Sequence, residues 1–253
     1  MPLLRNIACL ALCPPDGPQQ DAGLVENAAL VWRDDTVMWA GEYRQLPPEY
    51  RDEEVIDCQR KLVIPGLIDC HTHLCFGGWR GDEFEQRLQG ASYQEIAASG
   101  GGIASTVGTT RAASLGELQR KAGQLLTKIL ALGVTTLECK SGYGLDTANE
   151  LKQLEVYRRL DAEQPIDLVA TFLGAHIVPP EFRDRRNDYI DTLCEELIPR
   201  IADNGLARFC DSFVEEGAYT TQEAQRIFEA AARHGLGIKV HADQLSDGGG
   251  AIL

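Results

Sequence analysis

No apolar run in this sequence approaches the ~18 residues that a membrane-spanning helix needs. Positive charge is scarce: 24 Lys and Arg stand against 38 Asp and Glu, a net charge of -14. Such a chain repels nucleic acid and anionic membrane surfaces, so neither is expected as a partner. The sequence has no GxGxxG or GxxxxGK[ST] turn, so no glycine-rich cradle for a nucleotide phosphate is predicted. It has no internal repeat and no low-complexity stretch. The eight cysteines (Cys9, Cys13, Cys58, Cys70, Cys75, Cys139, Cys194 and Cys210) form no CxxC pair. Scattered through apolar runs of a chain this long, they read as small hydrophobes rather than a disulfide framework, and the setting expected is reducing and cytoplasmic.

What is present is an ordinary globular composition, 44% hydrophobic and 25% charged. The opening MPLLRNIACLALC lacks a basic leader and is interrupted by Arg5, so it reads as a strand rather than a signal peptide. Residues 1 to about 62 are β-rich. Ala29–Trp32 and Thr36–Gly41 flank the polar Arg33, Asp34 and Asp35, which is a hairpin pattern, and further strands are expected at 54–56 and 62–64.

After Pro65 strands alternate with helices. Strand-like runs fall at 67–70, 134–140, 166–173, 207–214 and 236–240. Ser114 and Glu117 make a capping box, after which Leu118, Ala122, Leu125, Ile129 and Leu132 fall on one helical face, and Gly133 ends the helix. Thr147 with Glu150, and Thr220 with Glu223, predict two more helices started the same way, the second closed by His234 and Gly235. This alternation implies parallel βαβ units, either the opening of a (β/α)8 barrel or a doubly wound sheet.

The strongest chemical signal is the string PGLIDCHTHL at 65–74, an apolar strand ending in His71-x-His73. Residues two apart on a strand point the same way, so both imidazoles reach one cation beyond the strand end. Neutral imidazole suits Zn²⁺ or Fe²⁺. A bare His-x-His also arises by chance, but this one sits in context: the string is similar to the first-strand motif of the amidohydrolase superfamily. Within that superfamily, HLCFGGWR at 73–80, GGGIASTV at 100–107, ECKSGYGL at 138–145, FLGAHIVP at 172–179 and KVHADQ at 239–244 resemble the imidazolonepropionase family, and the resemblance runs essentially from residue 1 to residue 253.

The resemblance implies an α/β fold, a (β/α)8 TIM-type barrel with a small β-sandwich domain. Residues 1–62 would supply strands of the small domain, and residues 63–253 the first five βα units of the barrel. It implies one divalent metal, Zn²⁺ or Fe²⁺, held by His71, His73 and His241. Taken alone, His241 after the apolar run 237–240 could equally be a core or loop histidine. The resemblance also assigns Arg80, Tyr143, His176 and Gln244 to a small-molecule substrate, 4-imidazolone-5-propanoate, whose cyclic C–N bond is hydrolysed to give N-formimidoyl-L-glutamate in histidine degradation. From the residues alone, Arg80 could be a solvated surface side chain, though a guanidinium forks well onto a carboxylate. Tyr143 between two glycines could be a packed loop residue, and His176 a structural histidine; as a substrate group its imidazole would bond the ring carbonyl.

Gln244 stands three residues after His241, where related deaminases carry a proton-shuttling glutamate. Glutamine cannot take a proton and can only orient substrate or water, so the acid/base groups are expected elsewhere. His234 reads as structural, and Lys140 is set aside because the family resembled binds one metal. That family also has a sixth-strand histidine and an eighth-strand metal-binding aspartate. A barrel by itself typically takes ~250 residues, so the expectation is an N-terminal portion of a longer enzyme, inactive alone. Another cyclic amidohydrolase or deaminase, or a non-catalytic metal-binding chain, is the alternative, and a homodimer is left open.

Overall fold

The computed structural model describes residues 1–18, 20–92, 95–96 and 99–253. The chain divides into two compact units, Met1–Gly66 and Leu67–Leu253.

The first unit is a five-stranded sheet. Strand β1 (Pro2–Ala11) lies between β2 (Leu24–Arg33) and two short parallel partners, β4 (Glu54–Asp57) and β5 (Leu62–Val63), while β3 (Thr36–Glu42) pairs with β2. The hairpin turns at Asp34, whose φ of 53° is left-handed, a conformation that aspartate tolerates better than most residues. A bulge at Asn6 (φ 59°) shifts the register of β1 on β2 between Leu4 and Ile7. Leu3, Ala29 and Val31 are therefore buried with Leu46 on one face, and Ile7, Leu10 and Ala28 on the other.

The second unit is a parallel sheet of five strands: β6 (Leu67–Thr72), β7 (Val134–Lys140), β8 (Asp167–Ala175), β9 (Phe209–Val214) and β10 (Gly237–Ala242). Their order is β10-β9-β8-β7-β6. Sequential order without a reversal point is that of a barrel and not of a doubly wound sheet. Helices α1 (Gly81–Leu88), α2 (Ile103–Ala112), α3 (Leu115–Ala131), α4 (Thr147–Glu163), α5 (Arg186–Thr192), α6 (Ile198–Asp203) and α7 (Thr221–Arg233) occupy the connections, with a π-helical turn at Leu193–Leu197 between α5 and α6. The main core includes Leu118, Ala122 and Leu126 of α3, Leu154 and Leu160 of α4, Ile227 of α7, and Leu137, Phe172 and Cys210 of the sheet.

The capping boxes at Ser114 and Thr220 form as the sequence predicts. Two local expectations fail. Leu132 is 76% exposed because α3 ends at Ala131 and Leu132 belongs to its terminal turn, while Leu126 takes the buried place. The helix expected to start on a Thr147–Glu150 box is capped instead by Asp146, whose side chain accepts from Asn149 N. Glu150 turns inward, where it is fully buried.

Candidate metal centre

The seven site residues predicted from sequence sit at or just beyond the C-terminal ends of the parallel strands, where sheets of this type collect their active groups. His71 lies in β6 and His73 follows it; Tyr143 follows β7, His176 follows β8, His241 lies in β10 and Gln244 follows β10. Arg80 lies in the segment after β6, as the N-cap residue immediately before α1. All seven line one cleft of about 240 Å³, together with Ile103, Phe213 and Leu245. A larger hollow of about 510 Å³, lined by Leu168, Arg208 and Leu236, lies at the opposite ends of the strands and holds none of them.

β6 and β10 are the two edges of the sheet. Four inter-strand steps of about 4.8 Å would separate them by roughly 19 Å if the sheet were flat. Instead His71 Nε2 and His241 Nε2 are 2.9 Å apart, so the sheet curls until its edges face each other at this end. His73 completes the group: one ligand atom from each of the three histidines lies within 4.8 Å of the others.

Burial lowers the basicity of two of these rings. His73 is pushed down to about 2, by desolvation first and then by the neighbouring histidines and Lys140. Desolvation, followed by His241, also lowers His71. Both are held in the neutral form, which is the ligating form of imidazole.

His176 stacks on His73 with ring centroids 5.1 Å apart, and Tyr143 lies 5.1 Å from His73 and 5.3 Å from His176. His176 Nδ1 is 2.9 Å from the Gly142 carbonyl, which can only accept, so Nδ1 carries the proton. Burial pushes His176 down to about 4, which leaves Nε2 of the neutral ring as an acceptor. On a ring in this state Nε2 can accept a hydrogen bond and has no proton to donate. Gln244 is carried by a segment that Glu215 anchors, its carboxylate accepting from Leu245 N at 2.8 Å and from Ser246 Oγ.

Sequence reasoning missed what lies beneath the histidines. Lys140 Nζ is buried between Glu138 (2.6 Å) and Asp211 (2.9 Å). Lys239 reaches Glu138 at 3.2 Å, and Thr171 donates to the same carboxylate. Asp211 Oδ2 lies 3.0 Å from His241 Nδ1, at ion-pair distance though off good hydrogen-bond alignment. Burial works to raise the Asp211 carboxyl, but His241 and Lys140 outweigh it and hold it below its ordinary value. The available signal was a charged residue inside each of two apolar strands, at Lys140 and Asp211. Lys140 is thus paired with two buried carboxylates.

Residues 62–251, which include all seven cleft side chains, match the amidohydrolase family. The chain belongs to that family. It is 48% identical over 244 residues to the imidazolonepropionase of Paraburkholderia phymatum, covering 96% of this chain and 59% of that protein. It is 49% identical over 231 residues to the imidazolonepropionase of Brucella abortus, covering 91% and 57%. The chain thus spans somewhat under three fifths of the length of these curated relatives. Among solved structures, 5-methylcytosine deaminase from Klebsiella pneumoniae with 5-fluorocytosine bound matches at a TM-score of 0.61 and 17% identity, over 97% of this chain and 52% of that one. N-isopropylammelide isopropylaminohydrolase from Burkholderia multivorans matches at 0.56 and 16%, over 94% and 52%. These structural likenesses establish the amidohydrolase fold alone: five βα units of a TIM-type barrel.

Amidohydrolases are metal-dependent, and the donor set fits such an ion. Three convergent imidazoles offer nitrogen ligands, and His73 Nδ1 is buried without a hydrogen-bond partner among the described residues. No helix among the described residues is long and apolar enough to cross a membrane, and all eight cysteines are unpaired.

Proposed function

We propose that this chain forms the metal-binding part of an imidazolonepropionase, which adds water across the ring C–N bond of 4-imidazolone-5-propanoate to give N-formimidoyl-L-glutamate in histidine degradation. The observation that carries the reading is the convergence of Arg80, Tyr143, His176 and Gln244 with the three histidines in one cleft. The identity of 48–49% to imidazolonepropionases supports it. In this reading residues 1–62 belong to the small β domain and residues 63–253 to the barrel, and the setting is cytoplasmic.

His71, His73 and His241 would hold one divalent cation, Zn²⁺ or Fe²⁺. When bound, the cation supplies Lewis-acid activation of water and of the ring carbonyl. Arg80 forks onto the propanoate carboxylate, a bidentate contact that fixes both position and orientation. Tyr143 and His176 flank the ring beside His73, with His176 Nε2 accepting a ring N–H. Gln244 orients substrate or water, since its amide takes no proton.

The test is turnover by the intact metal-loaded enzyme across a panel of 4-imidazolone-5-propanoate, other cyclic amides and aminopyrimidines. Release of N-formimidoyl-L-glutamate from the first compound is expected. Activity confined to the other cyclic amides or to deamination would overturn the assignment.

A further inference from the structure

Helix α4 packs against the sheet with a face that should be apolar, yet Glu150, Gln153 and Tyr157 on it are fully buried among Leu154, Val156 and Leu160. Positions i, i+3 and i+7 share one side of a helix, so the three form a continuous polar stripe. Buried polar groups are tolerated when bonded, and these are bonded almost wholly to main chain. The Glu150 carboxylate accepts from Gly142 N at 3.1 Å, Gly144 N at 2.8 Å and Leu145 N at 2.8 Å. The Gln153 side chain accepts from Tyr143 N at 3.1 Å and donates to the Cys75 carbonyl at 2.6 Å. The Tyr157 hydroxyl accepts from Cys75 N at 3.0 Å and donates to the Lys140 carbonyl at 2.7 Å.

Two loops are gripped by this stripe. One holds Tyr143, with the amides of residues 142 to 145 all taken. The other runs from His73 to Arg80, with Cys75 held through both its N–H and its carbonyl. Gly144 rides so close to α4 that a Cβ there would come within 2.3 Å of Glu150 N. Apolar side chains of the same size could fill the space. What the polar ones add is a fixed spacing between the two loops.

We propose that Glu150, Gln153 and Tyr157 are positioning residues that set the separation of Arg80 from Tyr143, with Gln153 as the direct link. None of these hydrogen bonds falls on His71, His73 or His241, so the effect of the stripe is on substrate binding. This rests on the reading of Arg80 and Tyr143 as substrate groups.

Gln153→Met keeps the volume and deletes both amide bonds. In the intact metal-loaded enzyme it is expected to raise KM about tenfold, the effect of one or two neutral hydrogen bonds, with kcat nearly unchanged and metal stoichiometry intact. Amide hydrogen exchange should quicken at both 74–80 and 142–145 and stay unchanged in α3 and α7. Tyr157→Phe, a milder change, should quicken exchange at 74–80 alone.

Unchanged exchange in both loops after Gln153→Met, or equal losses in KM, kcat and metal content, would overturn the proposal. Arg80→Lys separates the two readings. If Arg80→Lys leaves KM untouched, the substrate assignment fails, whereas the exchange measurement judges the loop link without any substrate.

Discussion

His71 and His241 stand 170 residues apart in sequence and on opposite edges of a five-stranded sheet, yet their Nε2 atoms face each other at 2.9 Å. Neither strand alone makes the site. The curl of the sheet makes it, and residues that hold His241 in place from beneath are expected to share in the affinity for a metal bound there.

Asp211 is the first of these. Metal-bound histidines are oriented by the group at their other ring nitrogen, and losing that partner typically costs 10–100-fold in affinity. With Asp211 Oδ2 at 3.0 Å from His241 Nδ1, Asp211→Asn is expected to weaken metal binding within that range, measured by competition with a chelator. Affinity equal to wild type would show that His241 is fixed by packing alone.

Lys140 is a different case. Its ammonium is 2% exposed and pairs with both Glu138 and Asp211. Lys140→Met leaves Glu138 with Lys239 and Asp211 with His241 as remaining partners, and removing one partner from a buried ionic group costs about 3–5 kcal/mol. Urea unfolding of the variant should show a drop of that order. A loss below about 1 kcal/mol would mean that water or a proton compensates easily.

The contrast between strands and loops decides what was legible in the sequence. The strand Val134–Lys140 and the boxes at Ser114 and Thr220 were readable because their signals are local. His71, His73, His241, Arg80, Tyr143, His176 and Gln244 all line one cleft; the family motifs picked them out, and each lies in or after a strand of the parallel sheet. Glu150 misled, since the same Thr-x-x-Glu spacing that caps a helix here delivers a carboxylate to three loop amides. Glu138, Lys140 and Asp211 could not be paired in advance, because their contacts depend on which strands become neighbours in the curl.

Arg80 is predicted to be intolerant of lysine. An ammonium keeps the charge but loses the two-pronged fork onto a carboxylate. Arg80→Lys should reduce kcat/KM by an amount equivalent to about 1.5–3 kcal/mol, read from steady-state kinetics on 4-imidazolone-5-propanoate. A value near wild type would return Arg80 to the solvated surface.

Gly144 has no room for a side chain, because the atoms a Cβ would strike, Glu150 N and the Asn149 carbonyl carbon, are helix backbone. Gly144→Ala is expected to destabilise the protein by about 1–3 kcal/mol through overpacking, seen as a lower denaturation midpoint with unchanged slope. An unshifted midpoint would show that the loop can lift off α4 freely.

The most direct test of the metal centre is elemental analysis of the purified intact enzyme beside His71→Ala and His73→Ala. One divalent metal per chain in the wild type, lost in both variants while the proteins stay folded by circular dichroism, is the expected result. Metal content unchanged by either substitution would contradict the centre built on His71, His73 and His241.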